Sequence, residues 1–135
     1  MIKCTHENHP AATVLFTGGM GFVMSNVIRY LLKTNPAVRV ISLDLTPIKD
    51  VVADYFSPGS KRLSCFSGDI RDRDLLDHIS RQHNITHVVH GAMIAHVPSW
   101  EKKSPSRYVD VNLWGTVNLL EWARCLPGLK RFLYI

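Results

Sequence analysis

Residues 12–32 read ATVLFTGGMGFVMSNVIRYLL, and the spacing of the apolar residues changes within this stretch. Residues 12–17 form a nearly all-apolar run, which is typical of a strand covered on both faces. A glycine cluster follows at Gly18, Gly19 and Gly21. Beyond it, apolar residues recur at helical spacing until Asn35-Pro36, where the proline ends the helix. The stretch therefore predicts a buried strand, a tight glycine turn and an amphipathic helix.

Strands and helices alternate along the rest of the chain. Strands are predicted over residues 38–43, 62–67, 86–90 and 131–135, and helices over 47–55, 72–83 and 104–125, with a loop over 91–103. This alternation is typical of βαβ units, which form a parallel sheet with helices on both faces. Right-handed crossovers give the strand order 3-2-1-4-5, a doubly wound α/β fold of the Rossmann type. We expect residues 1–11 to be a flexible tail and residues 12–135 to form a single domain.

The composition is that of an ordinary globular protein. The 135 residues are 46% hydrophobic and 20% charged, unlike a disordered chain. The net charge is +5, but the basic residues occur as scattered pairs, so we expect no nucleic-acid partner. No apolar run reaches the ~18 residues that cross a bilayer, and the polar start lacks the apolar core of a signal peptide. These features predict a cytoplasmic protein without membrane contact.

The glycine cluster lies where a predicted strand meets a predicted helix. Glycine permits backbone angles that a Cβ would obstruct, and free N–H groups at a helix N-terminus can bind a pyrophosphate. Asp44 ends the second predicted strand, where its carboxylate can accept hydrogen bonds from an adenosine ribose. Together these residues predict a dinucleotide site that prefers NAD to NADP, because the charge of Asp44 repels a 2′-phosphate. The alternative is that Asp44 is an ordinary turn residue.

One position departs from the glycine-loop pattern. Three residues after Gly21 the pattern has a glycine or an alanine, which lets the helix and the strand pack closely, and this chain has Met24. The methionine side chain must bend away, shift the helix or enter the cofactor space. We expect weaker cofactor binding and an intact fold.

Five segments, in order, resemble the extended short-chain dehydrogenase/reductases, specifically the NAD-dependent epimerase/dehydratase group that acts on nucleotide sugars. The resemblance covers residues 13–135, nearly the whole chain. It rests on TGGMGF (17–22), GDIRD (68–72), HGAM (90–93), VN with GTVNLLE (111–112 and 115–121) and RFLYI (131–135). In that family the last segment leads into a catalytic serine.

The resemblance implies a set of site residues. His96 would lie on the substrate side of the cofactor. Asn112 would support the site, although a buried asparagine bonded to the main chain is an equally good interpretation, and His90 is better interpreted as structural than as a base. The implied cofactor-binding residues are Gly18, Gly19, Met20, Gly21, Phe22, Asp44, Asp69, Ile70, Ala92, Met93 and Asn112.

The resemblance also implies a catalytic tyrosine with a lysine four residues later, and this sequence has no such pair. The residues at that spacing after Tyr30, Tyr55 and Tyr108 are threonine, glycine and asparagine. The family's serine, later strands and substrate domain would follow residue 135, so we expect a C-terminally truncated fold with no catalytic residues. The chain is thus interpreted as the NAD-binding part of an epimerase/dehydratase-like oxidoreductase, inactive alone. The alternatives are a stand-alone, non-catalytic NAD-binding or interaction module and, more remotely, a methyltransferase domain.

The long predicted helix carries apolar residues on two faces. One stripe, with Val109 and Leu120 beside Asn112, is expected to face the sheet, and the opposite face carries Trp114 and Trp122. In the resembled family this helix contributes to a dimer interface. We therefore expect a homodimer through the helix that carries the two tryptophans, and we expect no metal site.

Overall fold

The computed structural model describes residues 12–47, 54–57, 59–95 and 98–135. Two short 3₁₀ turns, Asp54–Phe56 and Ser60–Arg62, precede the third strand. The last helix, α4, begins with Ser106–Tyr108, continues as a π-helix over Val109–Gly115 and ends with Thr116–Ala123. The other elements are β1 (Thr13–Thr17), α1 (Phe22–Thr34), β2 (Arg39–Asp44), β3 (Leu63–Ser67), α2 (Arg73–Gln82), β4 (His87–His90), α3 (Pro98–Lys103) and β5 (Arg131–Tyr134).

The strands form one parallel sheet in the order β3-β2-β1-β4-β5, which confirms the predicted topology. In the central strand β1, Leu15 pairs with Ile41 of β2 and with Val88 of β4. Every residue of β1 is buried, because strands flank it on both edges and helices cover both faces of the sheet. This position explains why the sequence of β1 is apolar throughout instead of alternating.

Side chains of β1 point alternately into two hydrophobic layers, as the period of a strand requires. On one face Leu15 packs with Leu76 of α2 and Trp122 of α4. On the other face Phe16 packs with Ile28 of α1. The two layers hold the carboxyl ends of the strands at one edge of the sheet, where the loops after the strands meet.

The prediction of a loop over residues 91–103 is wrong in its second half, because α3 begins at Pro98. Proline is favoured in the first turn of a helix, since the N–H group that it lacks would have no helical partner there. Of the helix predicted over residues 47–55, residues 48–53 lie outside the described residues, and the 3₁₀ turn Asp54–Phe56 covers its end.

The face of α4 that packs on the sheet also differs from the prediction. Val111 and Leu119 are buried, whereas Val109 and Leu120 are exposed. Val111, Leu119 and Trp122 share one face of a wheel drawn at 3.6 residues per turn, and Val109 and Leu120 share the opposite face. Both faces carry large apolar residues, so the wheel alone does not decide which of them meets the sheet. Trp122 is only 1% exposed and belongs to the core, so it cannot form part of a dimer interface.

Candidate functional site

A pocket opens at the carboxyl edge of the sheet, where the loops after β1, β2, β3 and β4 converge. Its volume is about 190 Å³. In doubly wound sheets, ligands bind in the crevice at this edge, where the strand order reverses. The pocket is lined by Gly18, Gly21, Leu43, Asp44, Leu45, Gly68, Asp69, Ile70, Gly91, Ala92, Met93, Ile94 and Val111.

The loop between β1 and α1 is a compact turn that requires glycine. Gly18 has φ +69°, and its N–H donates to the carbonyl of Leu43 over 2.9 Å. A Cβ at Gly18 would lie 2.8 Å from the carbonyl oxygen of Gly91, so a side chain would push apart the two loops that bound the pocket. Gly21 is the N-cap of α1, which places the positive end of the helix at the pocket. This arrangement can bind an anion through main-chain groups.

Asp44 is held at the end of β2 by two main-chain donors. Its Oδ2 accepts from the N–H of Met20 over 3.0 Å, and its Oδ1 accepts from the N–H of Thr46 over 2.8 Å. The first bond joins the carboxylate to the glycine turn. Each carboxylate oxygen can accept more than one hydrogen bond, so the side chain remains able to bind a ligand's hydroxyl groups.

The wall beyond β3 is formed by Asp69 and Ile70. Asp69 makes a two-pronged contact with the guanidinium of Arg71, with distances of 3.0 and 2.7 Å. This hydrogen-bonded ion pair lowers the pKa of the Asp69 carboxyl. The side chain of Ile70 is buried against Gly115 of α4, where an added Cβ would lie 2.7 Å from Ile70 Cδ1. The wall thus presents an ionised carboxylate and an apolar surface.

His90 is fully buried, and both of its ring nitrogens have partners. Nδ1 lies 2.7 Å from Thr17 Oγ1, and Nε2 lies 2.8 Å from Thr116 Oγ1. Thr116 Oγ1 donates its proton to the carbonyl of Asn112, so it must accept from Nε2–H. Thr17 Oγ1, which accepts the N–H of Ala92, then donates to Nδ1. The pattern assigns a neutral imidazole protonated on Nε2, and burial lowers the pKa of His90 accordingly.

These bonds favour the structural interpretation of His90. Its imidazole connects β1, through Thr17, with α4, through Thr116. Neither ring nitrogen is left available for proton transfer to a ligand.

Two asparagines of α4 bond to the main chain of the pocket loops. Asn112 accepts the N–H of Ile94 over 2.8 Å and donates to the carbonyl of Ile94 over 3.0 Å. Asn118 donates to the carbonyl of Ile70 over 2.7 Å. Asn112 therefore acts on the pocket through the segment after β4, and Asn118 acts through the segment after β3.

Met24, at the position that departs from the glycine-loop pattern, is only 4% exposed. It packs in the layer between α1 and the sheet, with its thioether against Gly91, and it does not line the pocket. Of the three outcomes expected for this side chain, the structure does not have the third, because the methionine lies between α1 and the sheet and does not enter the pocket.

The structure brings most of the predicted site residues together. Gly19, Met20 and Phe22 belong to the same turn without lining the pocket, and Phe22 is 85% exposed. Asn112 contacts the loop after β4, as described above, and His96 lies outside the described residues. The predicted residues that line the pocket are Gly18, Gly21, Asp44, Asp69, Ile70, Ala92 and Met93.

Sequence reasoning missed the contributions of Thr17, Thr116 and Asn118. All three lie in segments that carry the resemblance, Thr17 in residues 17–22 and the other two in residues 115–121. In α4, Thr116 and Asn118 also interrupt an apolar helix, and polar side chains inside a fold need partners.

The amino-acid sequence is similar to those of known proteins. The profile of the NAD-dependent epimerase/dehydratase family matches residues 14–135. A UDP-glucose 4-epimerase of Lacticaseibacillus casei is 30% identical over 122 residues, which is 90% of this chain and 34% of that protein. A Methanocaldococcus jannaschii protein described as an uncharacterized membrane protein is 35% identical over 112 residues, which is 82% of this chain and 32% of that protein.

A solved structure is similar as well. UDP-glucose 4-epimerase from Bifidobacterium longum, in complex with NAD⁺ and UDP, matches with a TM-score of 0.76 and 30% identity, over 91% of this chain and 36% of that chain. The chain thus spans about a third of the length of these relatives. Within the described part of the chain, no helix has the length and apolar character needed to cross a membrane.

Proposed function

The chain belongs to the NAD-dependent epimerase/dehydratase family, and from this membership we propose that its pocket binds NAD as part of a nucleotide-sugar epimerase or dehydratase. The observation that carries the proposal is that the Gly18–Gly21 turn and Asp44 line one pocket and are hydrogen-bonded to each other. A dinucleotide needs both an anion site and an acceptor for the ribose hydroxyls, and these residues supply the two side by side.

The residues present fit this cofactor. A Cβ at Gly18 would lie within 3 Å of the main chain of Gly91 and Ala92, so glycine at this position lets the two loops meet at the edge of the pocket without a side chain between them. We propose that main-chain N–H groups at the start of α1 bind the pyrophosphate and that Asp44 binds the adenosine ribose. Asp69 and Ile70 would border the adenine. Bound NAD would supply hydride transfer, while the residues described here bind and orient it.

We propose that NAD is preferred to NADP. The carboxylate of Asp44 would repel a 2′-phosphate on the ribose that it binds. The next residue is Leu45, so the chain offers no arginine directly after Asp44 to bind that phosphate.

We also propose that the 135 residues bind NAD weakly and do not turn over substrate. The chain spans about a third of the length of its relatives. The residues four positions after Tyr30, Tyr55 and Tyr108 are threonine, glycine and asparagine, so none of these three tyrosines has the lysine partner. Because these tyrosines have no lysine partner, a non-catalytic NAD-binding module is the alternative function.

Calorimetric titration with NAD and NADP tests the proposal. Wild-type protein should bind NAD more tightly than NADP. Asp44→Asn should weaken NAD binding about 10-fold, because charge-assisted hydrogen bonds are lost, and should narrow the difference between the cofactors. The matched control is Asp77→Asn, which removes a carboxylate paired with Arg73 on the surface of α2. Equal or tighter NADP binding by wild-type protein would refute the role of Asp44.

For assembly, we propose a homodimer through the exposed apolar residues of α4. Leu113 is 54% exposed and Trp114 is 59% exposed, and Val117 and Leu120 lie on the same helix. Sedimentation equilibrium should give a dimer for wild-type protein and a monomer for Trp114→Ser. If wild-type protein stays monomeric when its concentration in the sedimentation experiment is raised 100-fold, the proposal is refuted.

For location, we propose the cytoplasm. Cys65 and Cys125 are free thiols, which is typical of a reducing compartment. Fractionation of cells that express the protein tests the point, and recovery in the membrane fraction after a high-salt wash would contradict it.

A further inference from the structure

Asn118 lies outside the pocket and yet bonds to its wall. The side chain donates from Nδ2 to the carbonyl oxygen of Ile70 over 2.7 Å, and both residues are largely shielded from water. Gly115, one helical turn earlier on α4, provides the space that the Ile70 side chain fills. Ile70 is therefore held at two points by one helix, through its main chain and through its side chain.

The segment that contains Ile70 is held at its two ends by other bonds. The N–H of Gly68 donates to the carbonyl of Asp44 over 2.9 Å. The side chain of Asp72 accepts the N–H of Leu75 and caps α2. The Asn118 bond acts between these anchors, at the residue whose side chain lines the pocket.

We infer that Asn118 is a positioning residue of the cofactor site: its amide holds the Ile70 carbonyl and so fixes the wall against which an adenine nucleotide binds. The inference rests on the proposed NAD function. The strand order puts Asp44 and Ile70 on the β2–β3 side of the glycine turn. A ligand that spans this side needs both the ribose acceptor and the apolar wall in place. Without the Asn118 bond, Ile70 keeps its packing and the turn keeps the bond from the N–H of Asp72 to the carbonyl of Asp69, but the Ile70 carbonyl loses the partner that holds it toward α4.

The experiment compares two probes on four proteins. Adenosine monophosphate needs the wall, whereas inorganic pyrophosphate needs only the Gly18–Gly21 turn. The proteins are wild type, Asn118→Leu, Asn118→Asp and the control Glu121→Leu, which alters an exposed side chain of α4 paired with Arg124. Affinities come from amide NMR shifts, at a temperature where circular dichroism shows each protein to be fully folded.

Asn118→Leu should weaken adenosine monophosphate binding about 3- to 10-fold, the effect of one lost hydrogen bond, and change pyrophosphate affinity by less than about twofold. Asn118→Asp places a carboxylate against the Ile70 carbonyl, which removes the donor and adds repulsion, so it should weaken adenosine monophosphate binding at least as much. This variant carries the comparison if the leucine variant does not fold. Glu121→Leu should match wild type with both probes.

Equal weakening of both probes would show a general loosening of the domain and overturn the inference, as would unchanged nucleotide binding by Asn118→Leu and Asn118→Asp. In both of these cases wild-type protein still binds adenosine monophosphate, so the proposed function survives. A wild-type protein that binds neither adenosine monophosphate nor NAD would overturn the proposed function together with the inference.

Discussion

Met24 offers the sharpest test of how the glycine loop is built. The sequence predicts that its side chain weakens cofactor binding, whereas the structure buries the side chain away from the pocket. Its side chain is almost fully buried between α1 and the sheet. Met24→Ala, which restores a residue of the usual pattern, should lower the free energy of unfolding by about 3 kcal/mol, the cost of a large-to-small change in a core. It should leave NAD affinity within about twofold of wild type, since the side chain does not line the pocket.

The contact between Gly91 and Met24 allows the packing to be tested by a double-mutant cycle. A Cβ at Gly91 would lie 2.7 Å from Met24 Cε and 3.1 Å from Met24 Cγ. Gly91→Ala should therefore cost about 1–2 kcal/mol by overpacking a flexible side chain. In the double variant the new methyl group occupies part of the space that Met24 leaves. The double variant should be about 1 kcal/mol more stable than the sum of the single changes predicts.

Urea denaturation of the four proteins measures this coupling. The control cycle pairs Met24→Ala with Gly128→Ala, whose Cβ would lie 2.7 Å from Asn84 Oδ1, away from α1. That pair should be additive within about 0.5 kcal/mol. Additivity in the Met24–Gly91 cycle would refute the packing described here. NAD binding that tightens more than about fivefold in Met24→Ala would show that the methionine does enter the cofactor space.

Three further predictions concern single residues. Burial lowers the pKa of His90, so on acidification the unfolded chain takes up a proton at this residue before the folded chain does. The contribution of His90 to stability should be fully present above pH 6.5 and should be lost as the pH falls below it, and urea midpoints should show a smaller fall in His90→Gln. Ser42 Oγ is buried without a hydrogen-bond partner among the described residues, so Ser42→Ala should be neutral or stabilise by about 1 kcal/mol; a clear loss of thermal stability would contradict this. Gly18→Ala forces a Cβ onto a residue with φ +69°, and calorimetry should show NAD binding weakened more than about 10-fold while Gly128→Ala binds normally.

The sequence predicts those features that depend on local chemistry or on chain handedness. The glycine turn follows from backbone angles that other residues avoid, and the strand order follows from alternating elements with right-handed crossovers. Asp72 was placed at the start of α2, and its side chain caps that helix. Predicting these features requires only residues that are close in the sequence and the right-handedness of βαβ crossovers.

The features that the sequence does not predict depend on distant partners or on which of two apolar faces of a helix meets the sheet. Asn118 finds Ile70 at a separation of 48 residues, and no local pattern encodes that contact. Both faces of α4 carry large apolar residues, so a helical wheel does not decide that the face with Trp122 is the one that meets the core. The role of Met24 required knowing that Gly91 leaves space for it.

The pocket and the hydrophobic core are linked through α4. Side chains of this helix bond to Ile70 in the wall after β3, to His90 at the end of β4 and to Ile94 in the loop after β4. Each such bond contributes about 1 kcal/mol, whereas burial of a tryptophan such as Trp122 contributes several. The core therefore sets the position of α4, and the polar side chains transmit that position to the pocket. We therefore expect a core variant beneath α4 to change the affinity for the proposed cofactor even when every residue that lines the pocket is intact.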